Sequence, residues 1–406
     1  MKATMNEVKE YILGLIKWLI VSLILGVVCG VVGSAFHHAV DIVTEIRTEY
    51  MWIMLFLPLG GLIICAMYSM FKSSGDLSTN RVIEAAKGKE AVPFVMAPLI
   101  FVSTVITHLL GGSAGREGAA LQLGGSFGNK IAEILKIKKE HIKYVVMAGM
   151  SGVFSALFGT PLTAAFFSME VMVVGSMSYK GIIPCVLTAF VGSMVSEFFG
   201  CSGVYYDNVL PCELSFGNII IVAVVALACA LTGMLFCTTI HKTEHLSDKY
   251  IPNKYIRGAA GGVVIILLSL IFRTTDYNGA GMNIIDAAIS GEARYEAFLI
   301  KIIFTAITIA SGFKGGEIVP TFFIGSTLGC SLGLIFGFDP SFCASLGFVA
   351  LFCSVTNCPV ASLILSVEVF GGHNIILYAI ACAISFCMSG RCSLYSKQEF
   401  SEKRYI

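Results

Sequence analysis

The chain has 406 residues, 56% of them hydrophobic and only 13% charged, with 42 glycines. A soluble domain carries about 25% charged residues, and 27 basic against 26 acidic side chains leave no basic excess for a nucleic-acid surface. The apolar content excludes a disordered chain, so what remains is an integral membrane protein.

The apolar residues come in long runs, without the alternation of barrel strands. In chain order they cover 11–40, 51–70, 92–110, 144–174, 182–199, 216–240, 261–272, 298–312, 318–336, 342–369 and 375–388. At about 20 residues per crossing, this predicts an all-α polytopic bundle of about 10 to 12 crossings, several of them broken by Gly or Pro. The first run is too long for a signal peptide and lacks a small-residue cleavage site. Most of the fourteen cysteines lie inside apolar runs, where they act as small hydrophobes. Cys201 and Cys212 flank a polar loop, 200–214, and are placed to pair if that loop faces an oxidising side.

Basic residues orient the chain. Lys72, Arg81, Lys87 and Lys89 cluster in one loop, Lys130, Lys136, Lys138, Lys139 and Lys143 in a second, and Lys242, Lys249, Lys254 and Arg257 in a third. Both ends are basic as well, through Lys2 and Lys9 and through Arg391, Lys397, Lys403 and Arg404, whereas loops 41–50 and 200–215 are net acidic. The expectation is a multi-pass protein of the cell membrane with both termini cytoplasmic. With eleven residues beyond Tyr395, no soluble C-terminal domain is expected.

An internal repeat divides the chain. Pro161, Ser168, Glu170 and Val171 recur as Pro359, Ser366, Glu368 and Val369, 198 residues on, and Gly149 and Phe154 recur as Gly347 and Phe352. Gly115, Glu117, Gly125 and Ser126 recur as Gly315, Glu317, Gly325 and Ser326 at a spacing of 200. Two related halves, 1–205 and 206–406, are expected. Gly-rich turns at 111–118 and 311–320 interrupt apolar stretches at mid-length, and each opens a helix whose first N–H groups are free. Such termini attract anions through unpaired donors and the positive end of the helix dipole.

Glu117, Glu170, Glu317 and Glu368 lie in or beside apolar segments, where a carboxylate costs about 2.5–3.5 kcal/mol. For Glu170 and Glu368, which lie mid-helix, the favoured reading is that hydrogen bonds to them lock helices together. Glu117, beside Arg116 in a turn of free N–H groups, is read as functional: its carboxylate occupies an anion site and leaves when protonated. Four carboxylates also suit a cation transporter, and the donors at the two breaks favour anions. Ser151, in a Gly-x-Ser-Gly stretch, matches an intramembrane serine protease; the histidines after it are His241, His245 and His373. Packing through small residues is the preferred reading there. A transporter rather than an enzyme is expected, with no metal site among the histidines and no cofactor.

Gly115-Arg116-Glu117-Gly118, with Leu121 to Gly125 after it, resembles the gating-glutamate motif of the CLC chloride channel and proton-antiporter family. Gly315-Gly316-Glu317-Ile318-Val319-Pro320 resembles the second anion-binding loop of that family, and Tyr395 falls where the family places its anion-coordinating tyrosine. The resemblance covers about residues 10–400. It implies an inverted repeat of two helical halves whose broken helices meet at the midplane, and a homodimer with one pore per subunit. The transported partners are a halide and protons. Glu117 becomes the external gate, Gly115, Arg116 and Gly118 form its anion-binding turn, and the N–H groups of Ile318 and Val319 hold the central anion beside the Tyr395 hydroxyl.

Departures from chloride-type members single out a branch. The inner serine motif is replaced by 77–82, where Ser78, Thr79 or Asn80 supplies any donor. Val171 stands where chloride antiporters carry an internal proton glutamate. Ala119 replaces the Pro after the gating Glu-Gly, and Glu317 replaces an apolar residue. These features resemble the fluoride/proton antiporter branch, although Val319 stands where that branch uses a Thr hydroxyl. The reading is proton-coupled antiport leaning to fluoride export, with Glu317 as a second proton station; a passive chloride channel of the same fold is the alternative.

Overall fold

The computed structural model describes residues 2–71 and 77–401. Lys72, Lys403, Arg404 and the side chain of Lys2 lie outside the described residues. Sixteen α-helices account for most of the described chain, and its two strands have two residues each. Seven helices are long and apolar enough to cross a membrane, and five more apolar helices are shorter. Short helices end inside the bundle, which is how broken spans are built.

The first half comprises α1 (Lys2–Glu49), α2 (Leu57–Met70), α3 (Thr79–Ala86), α4 (Met96–Leu110), α5 (Glu117–Ile134), α6 (Lys139–Phe158), α7 (Pro161–Glu170) and α8 (Ile182–Phe198). The second comprises α9 (Phe216–Tyr250), α10 (Lys254–Phe272), α11 (Met282–Ile289), α12 (Ala297–Ala310), α13 (Ile318–Phe336), α14 (Pro340–Thr356), α15 (Pro359–Phe370) and α16 (Ile375–Met388). Helices α6 and α13 form the interior, whereas α2 and α10 lie at the periphery with few buried residues.

The apolar runs locate these helices but miss four features. Run 144–174 is two helices, because Gly159 turns left-handed at φ 69° and Pro161 starts α7. Run 342–369 divides in the same way at Asn357, with φ 57°, and Pro359. Gly at the end of a helix and Pro at the start of the next are the usual signals for such a break. The acidic stretch 41–50 is the last part of α1 rather than a loop. Short α3 and α11, with one apolar face each, escape a search for long apolar runs.

Cys201 and Cys212 do not pair, and every described cysteine is free. Different neighbours anchor the two ends of their loop. Cys201 donates its N–H to Ser196 O and its sulfur meets His38 Nε2 at 3.7 Å, whereas Cys212 donates its N–H to Asn374 Oδ1.

The repeat reappears as duplicated packing, which corrects its register. Gly124 on α5 meets the Gly149 backbone on α6, and Gly325 on α13 meets the Gly347 backbone on α14, each so closely that a Cβ has no room. Gly128 and Gly329 repeat this one turn later. The α5 and α13 partners are thus 201 residues apart, one more than the letters suggest. Helix α14 has 17 residues where α6 has 20, which takes the offset to the 198 of the following helices. In this register Glu317, the residue before α13, is the counterpart of Arg116 before α5, and not of Glu117.

Helices α7 and α15 lock the halves together by exchanging carboxylates. Glu170 at the end of α7 accepts from Val360 N and Ala361 N at the start of α15, at 3.2 and 2.9 Å. Glu368 in α15 accepts from Leu162 N and Thr163 N at the start of α7, at 2.9 and 2.8 Å. Neither Thr160 nor Cys358, the cap residues, caps its own helix with its side chain. The free donors of each helix are met by the other half, as the locking reading of these two glutamates requires. Because a hydrogen bond to a charged group contributes about 1.5–3 kcal/mol, Glu170→Ala and Glu368→Ala should each lower unfolding free energy by at least about 2 kcal/mol in detergent melts. Unchanged stability in both variants would remove the capping role.

Candidate anion pathway

The two Gly-rich breaks meet at the centre of the molecule. Gly115 N donates to Gly316 O at 2.7 Å, and Gly316 N donates to Gly115 O at 2.6 Å, an antiparallel bridge between residues 201 apart. The exchange continues outward. Ser113 N donates to Thr308 Oγ1 at 3.0 Å, and Lys314 N donates to Thr107 Oγ1 at 3.3 Å. Gly111 and Gly312, in left-handed conformation at φ 85° and 93°, end α4 and α12. Each pair obeys the same pseudo-twofold relation. No side chain fits between the loops: a Cβ on Gly316 falls 2.3 Å from Gly118 N, and one on Gly118 falls 2.7 Å from Gly316 Cα.

Helices α5 and α13 start at this bridge, so two positive helix ends face one small volume. Glu117, the first residue of α5, is fully buried. Its Oε2 accepts from Arg116 N at 3.0 Å, and the backbone N–H groups of Glu117 and Val319 act on the carboxylate electrostatically. Val319 belongs to the first turn of α13, so the carboxylate is bonded within its own half and feels the helix start of the other. Gly115 makes this possible, since a Cβ there falls 2.8 Å from Glu117 Oε2 and 2.8 Å from Val319 Cβ. A carboxylate held among backbone N–H groups stands where an anion is favoured.

Arg116 is shared between two carboxylates. Its Nη1 bonds Asp41 Oδ1 at 2.9 Å, and its Nε lies 3.8 Å from Glu117 Oε1. Asp41 in turn takes His37 Nε2 at 3.0 Å. Above this group is a cavity of about 480 Å³, lined by Asp41, Arg47, His108, Arg116, Asn278 and Val319. Arg116, whose N–H bonds the Glu117 carboxylate, and Val319, at the start of α13, are both in this lining, so the cavity reaches the surroundings of Glu117. Lys301, fully buried, bonds only carbonyls, Gly279 O at 2.8 Å and Tyr277 O at 3.2 Å, and Arg47 bonds His108 O at 2.6 Å. These hydrogen bonds leave both cations without a carboxylate partner beside the cavity.

On the other side of the bridge lie the remaining predicted residues. Ser78 occupies the N-cap position of α3, Thr79 Oγ1 accepts from Gln122 Nε2 at 3.0 Å, and Asn80 Oδ1 accepts from Lys397 N at 3.2 Å. The start of α3 is therefore tied both to α5 and to the turn that carries Tyr395. That turn is held by Gln398, whose amide accepts from Ser393 Oγ and Asn357 Nδ2 and donates to Val171 O and Thr356 O. The Tyr395 hydroxyl is buried, has no hydrogen-bond partner, and lies within electrostatic range of Glu117 and Glu317. Ile318 and Val319 are buried at the start of α13. Glu317 is partly buried, reaches toward Gly118, and has Lys314, His241 and Glu244 among the charges around it.

Sequence reasoning missed Asp41, Arg47, Lys301 and Gln398, which act at long range in the chain. Lys301 was legible as a lone cation in an apolar run; the others carry no local signal. Ser151 donates its hydroxyl to Cys185 O at 2.9 Å, and the hydrogen bonds of His241 and the exposure of His373 leave neither as its base.

The sequence profile of the family described as voltage gated chloride channel matches residues 60–390. A Pseudomonas syringae pv. tomato protein described as a chloride/fluoride channel protein is 31% identical over 398 residues, covering 96% of this chain and 88% of that protein. An H(+)/Cl(-) exchange transporter of Vibrio cholerae is 23% identical and covers 88% of this chain and 83% of its own. Among solved structures, a CLC-type fluoride/proton antiporter superposes with a TM-score of 0.92 at 30% identity, covering 95% of this chain and 98% of that one. A slow cyanobacterial Cl-/H+ antiporter shares the fold, with a TM-score of 0.79 at 19% identity over 92% and 94% of the two chains.

The exchange between Thr308 and Ser113 offers a direct test of the break geometry. Thr308→Val leaves the buried Ser113 N–H without its acceptor, at a cost of about 1–3 kcal/mol, to be read as a fall in melting temperature. A melting curve identical to wild type would count against this contact.

Proposed function

The chain belongs to the voltage-gated chloride channel family, and on that premise we propose that it exchanges a halide for protons across the cell membrane, with fluoride preferred. The observation that carries the reading is the buried Glu117 carboxylate, hydrogen-bonded by the Arg116 N–H at the start of α5 with the Val319 N–H of the other half in electrostatic reach. Those donors favour a negative charge, and carboxylate and halide compete for them. A proton on Glu117 removes its charge and weakens its hold, so an anion takes its place. When the anion leaves, the carboxylate returns and its proton is released. One group thus serves both ions, which is the physical basis of coupling.

Fluoride is small and tightly hydrated, so its site must replace water with strong donors. The N–H groups of Ile318 and Val319 and the unspent Tyr395 hydroxyl suit that demand, and Val319 leaves the site without a second hydroxyl there. The similarity to a chloride/fluoride channel protein and to a fluoride/proton antiporter supports the same choice. Glu317, with His241 and Glu244 among its neighbours, is the second proton station, on the side of the bridge facing the end of α9. Basic loops support cytoplasmic termini, and the family resemblance supports a homodimer with one pathway per subunit.

The reading is tested with purified protein in liposomes loaded in parallel with fluoride and with chloride, internal pH being recorded. Fluoride efflux accompanied by proton uptake, with little chloride flux, is expected. Chloride flux without a pH change would make the protein a passive channel. Glu117→Gln should reduce proton movement to the background of protein-free liposomes; proton movement at the wild-type rate with anion flux intact would refute the gate assignment.

A further inference from the structure

A second charged cavity, about 530 Å³ and separate from the one beside Glu117, lies between the last turns of α2, the start of α10 and the turn 311–314. Its walls carry Lys254, Arg257 and Lys314, with Tyr68, Ser69 and Cys65 between them. All three cations act on the Cys65 thiol, so their charges converge on one place. The lining residues include no carboxylate. Asp248 outside the lining pairs with Arg257 Nη1, yet among the described residues the buried Arg257 Nε and Tyr68 hydroxyl have no hydrogen-bond partner. The Lys314 ammonium sits 4.6 Å from the Tyr68 ring centre.

The surroundings name the class of ligand. Helices α2 and α10 cross at Gly61 and Gly258, whose backbones touch, and both turn most of their surface away from the protein. From the cavity, exposed apolar side chains run along one side of each helix: Leu59 and Ile63 on α2, and Ile256, Val263 and Leu267 on α10. Cations lining one cavity with the buried Arg257 Nε and Tyr68 hydroxyl, continued by an apolar strip of membrane-spanning helix, match a molecule with an anionic head and hydrocarbon tails. Guanidinium and ammonium groups are suited to phosphate oxygens, and basic pockets between transmembrane helices take anionic head groups. We propose that this cavity binds the phosphate head group of an anionic bilayer phospholipid, with the acyl chains on the strip between α2 and α10.

Full-length protein is exchanged into detergent with either phosphatidylglycerol or phosphatidylcholine added, and retained lipid is counted by native mass spectrometry. Melting is followed in parallel, with inorganic phosphate as the soluble probe. Retention of phosphatidylglycerol over phosphatidylcholine is expected, with affinity falling about tenfold in Lys254→Gln/Arg257→Gln. The double variant Lys138→Gln/Lys139→Gln, on a separate basic surface, should bind as wild type. Because Arg257 also pairs with Asp248, Lys254→Gln alone serves if the double variant is unstable, with a smaller loss in the same direction. Equal loss in the Lys138/Lys139 control would overturn the site as non-specific attraction. Competition and equal stabilisation by inorganic phosphate would overturn the lipid in favour of a free phosphate. No preference for the anionic lipid would overturn the site itself. None of these readings depends on transport.

Discussion

The backbone bridge between Gly115 and Gly316 is the contact on which the rest of the molecule depends. Polar backbone in the middle of an apolar bundle must be satisfied internally, and here each broken loop satisfies the other. Two hydrogen bonds between the glycines, and the exchange of Thr107 and Thr308 hydroxyls around them, bring both helix starts to one place. The approach is so close that only glycine fits at 115, 118 and 316. Everything chemical in the pathway, from the Val319 N–H to the position of Glu117, follows from that approach.

The protein uses one device, a carboxylate on the free N–H groups of a helix start, in two ways. Glu170 and Glu368 each use both oxygens on two donors of the opposite half, and each stands at the far end of a helix from the start that the other caps. Leaving would uncap a helix and open the junction, so these two are structural. Glu117 accepts one hydrogen bond, from the Arg116 N–H beside its own backbone, its Oε1 lies 3.8 Å from Arg116 Nε without a hydrogen bond, and a cavity lined by Arg116 and Val319 opens beside it. Its departure breaks no helix cap, so the same chemistry serves as a lock in one place and a gate in the other.

Electrostatics around the gate are asymmetric. On the cavity side, buried Arg47 and Lys301 bond carbonyls rather than carboxylates, so their charge is felt by any anion that enters. Arg116 bonds Asp41 closely and keeps only a longer ion pair, 3.8 Å, with Glu117. On the opposite side the nearest charges to Glu317 are of both signs, a setting that suits proton exchange more than anion capture.

Composition and run length by themselves determined that the chain is a helical membrane protein, because burying so many apolar side chains without charge leaves only the bilayer as solvent. The Gly-rich breaks, the repeated Pro and Glu, and the motif around Glu117 also stand in the letters, since each is a local need for a turn, a helix start or a buried acid. Tertiary structure alone decided the register of the two halves. Gly115, Glu117 and Gly315, Glu317 align by letter at 200, whereas hydrogen bonds pair Gly115 with Gly316 and make Glu317 the partner of Arg116. A Gly-rich stretch tolerates a one-residue slip in sequence, but a pair of reciprocal hydrogen bonds does not. The same holds for Asp41, Lys301 and Gln398, whose roles depend on what the fold places opposite them.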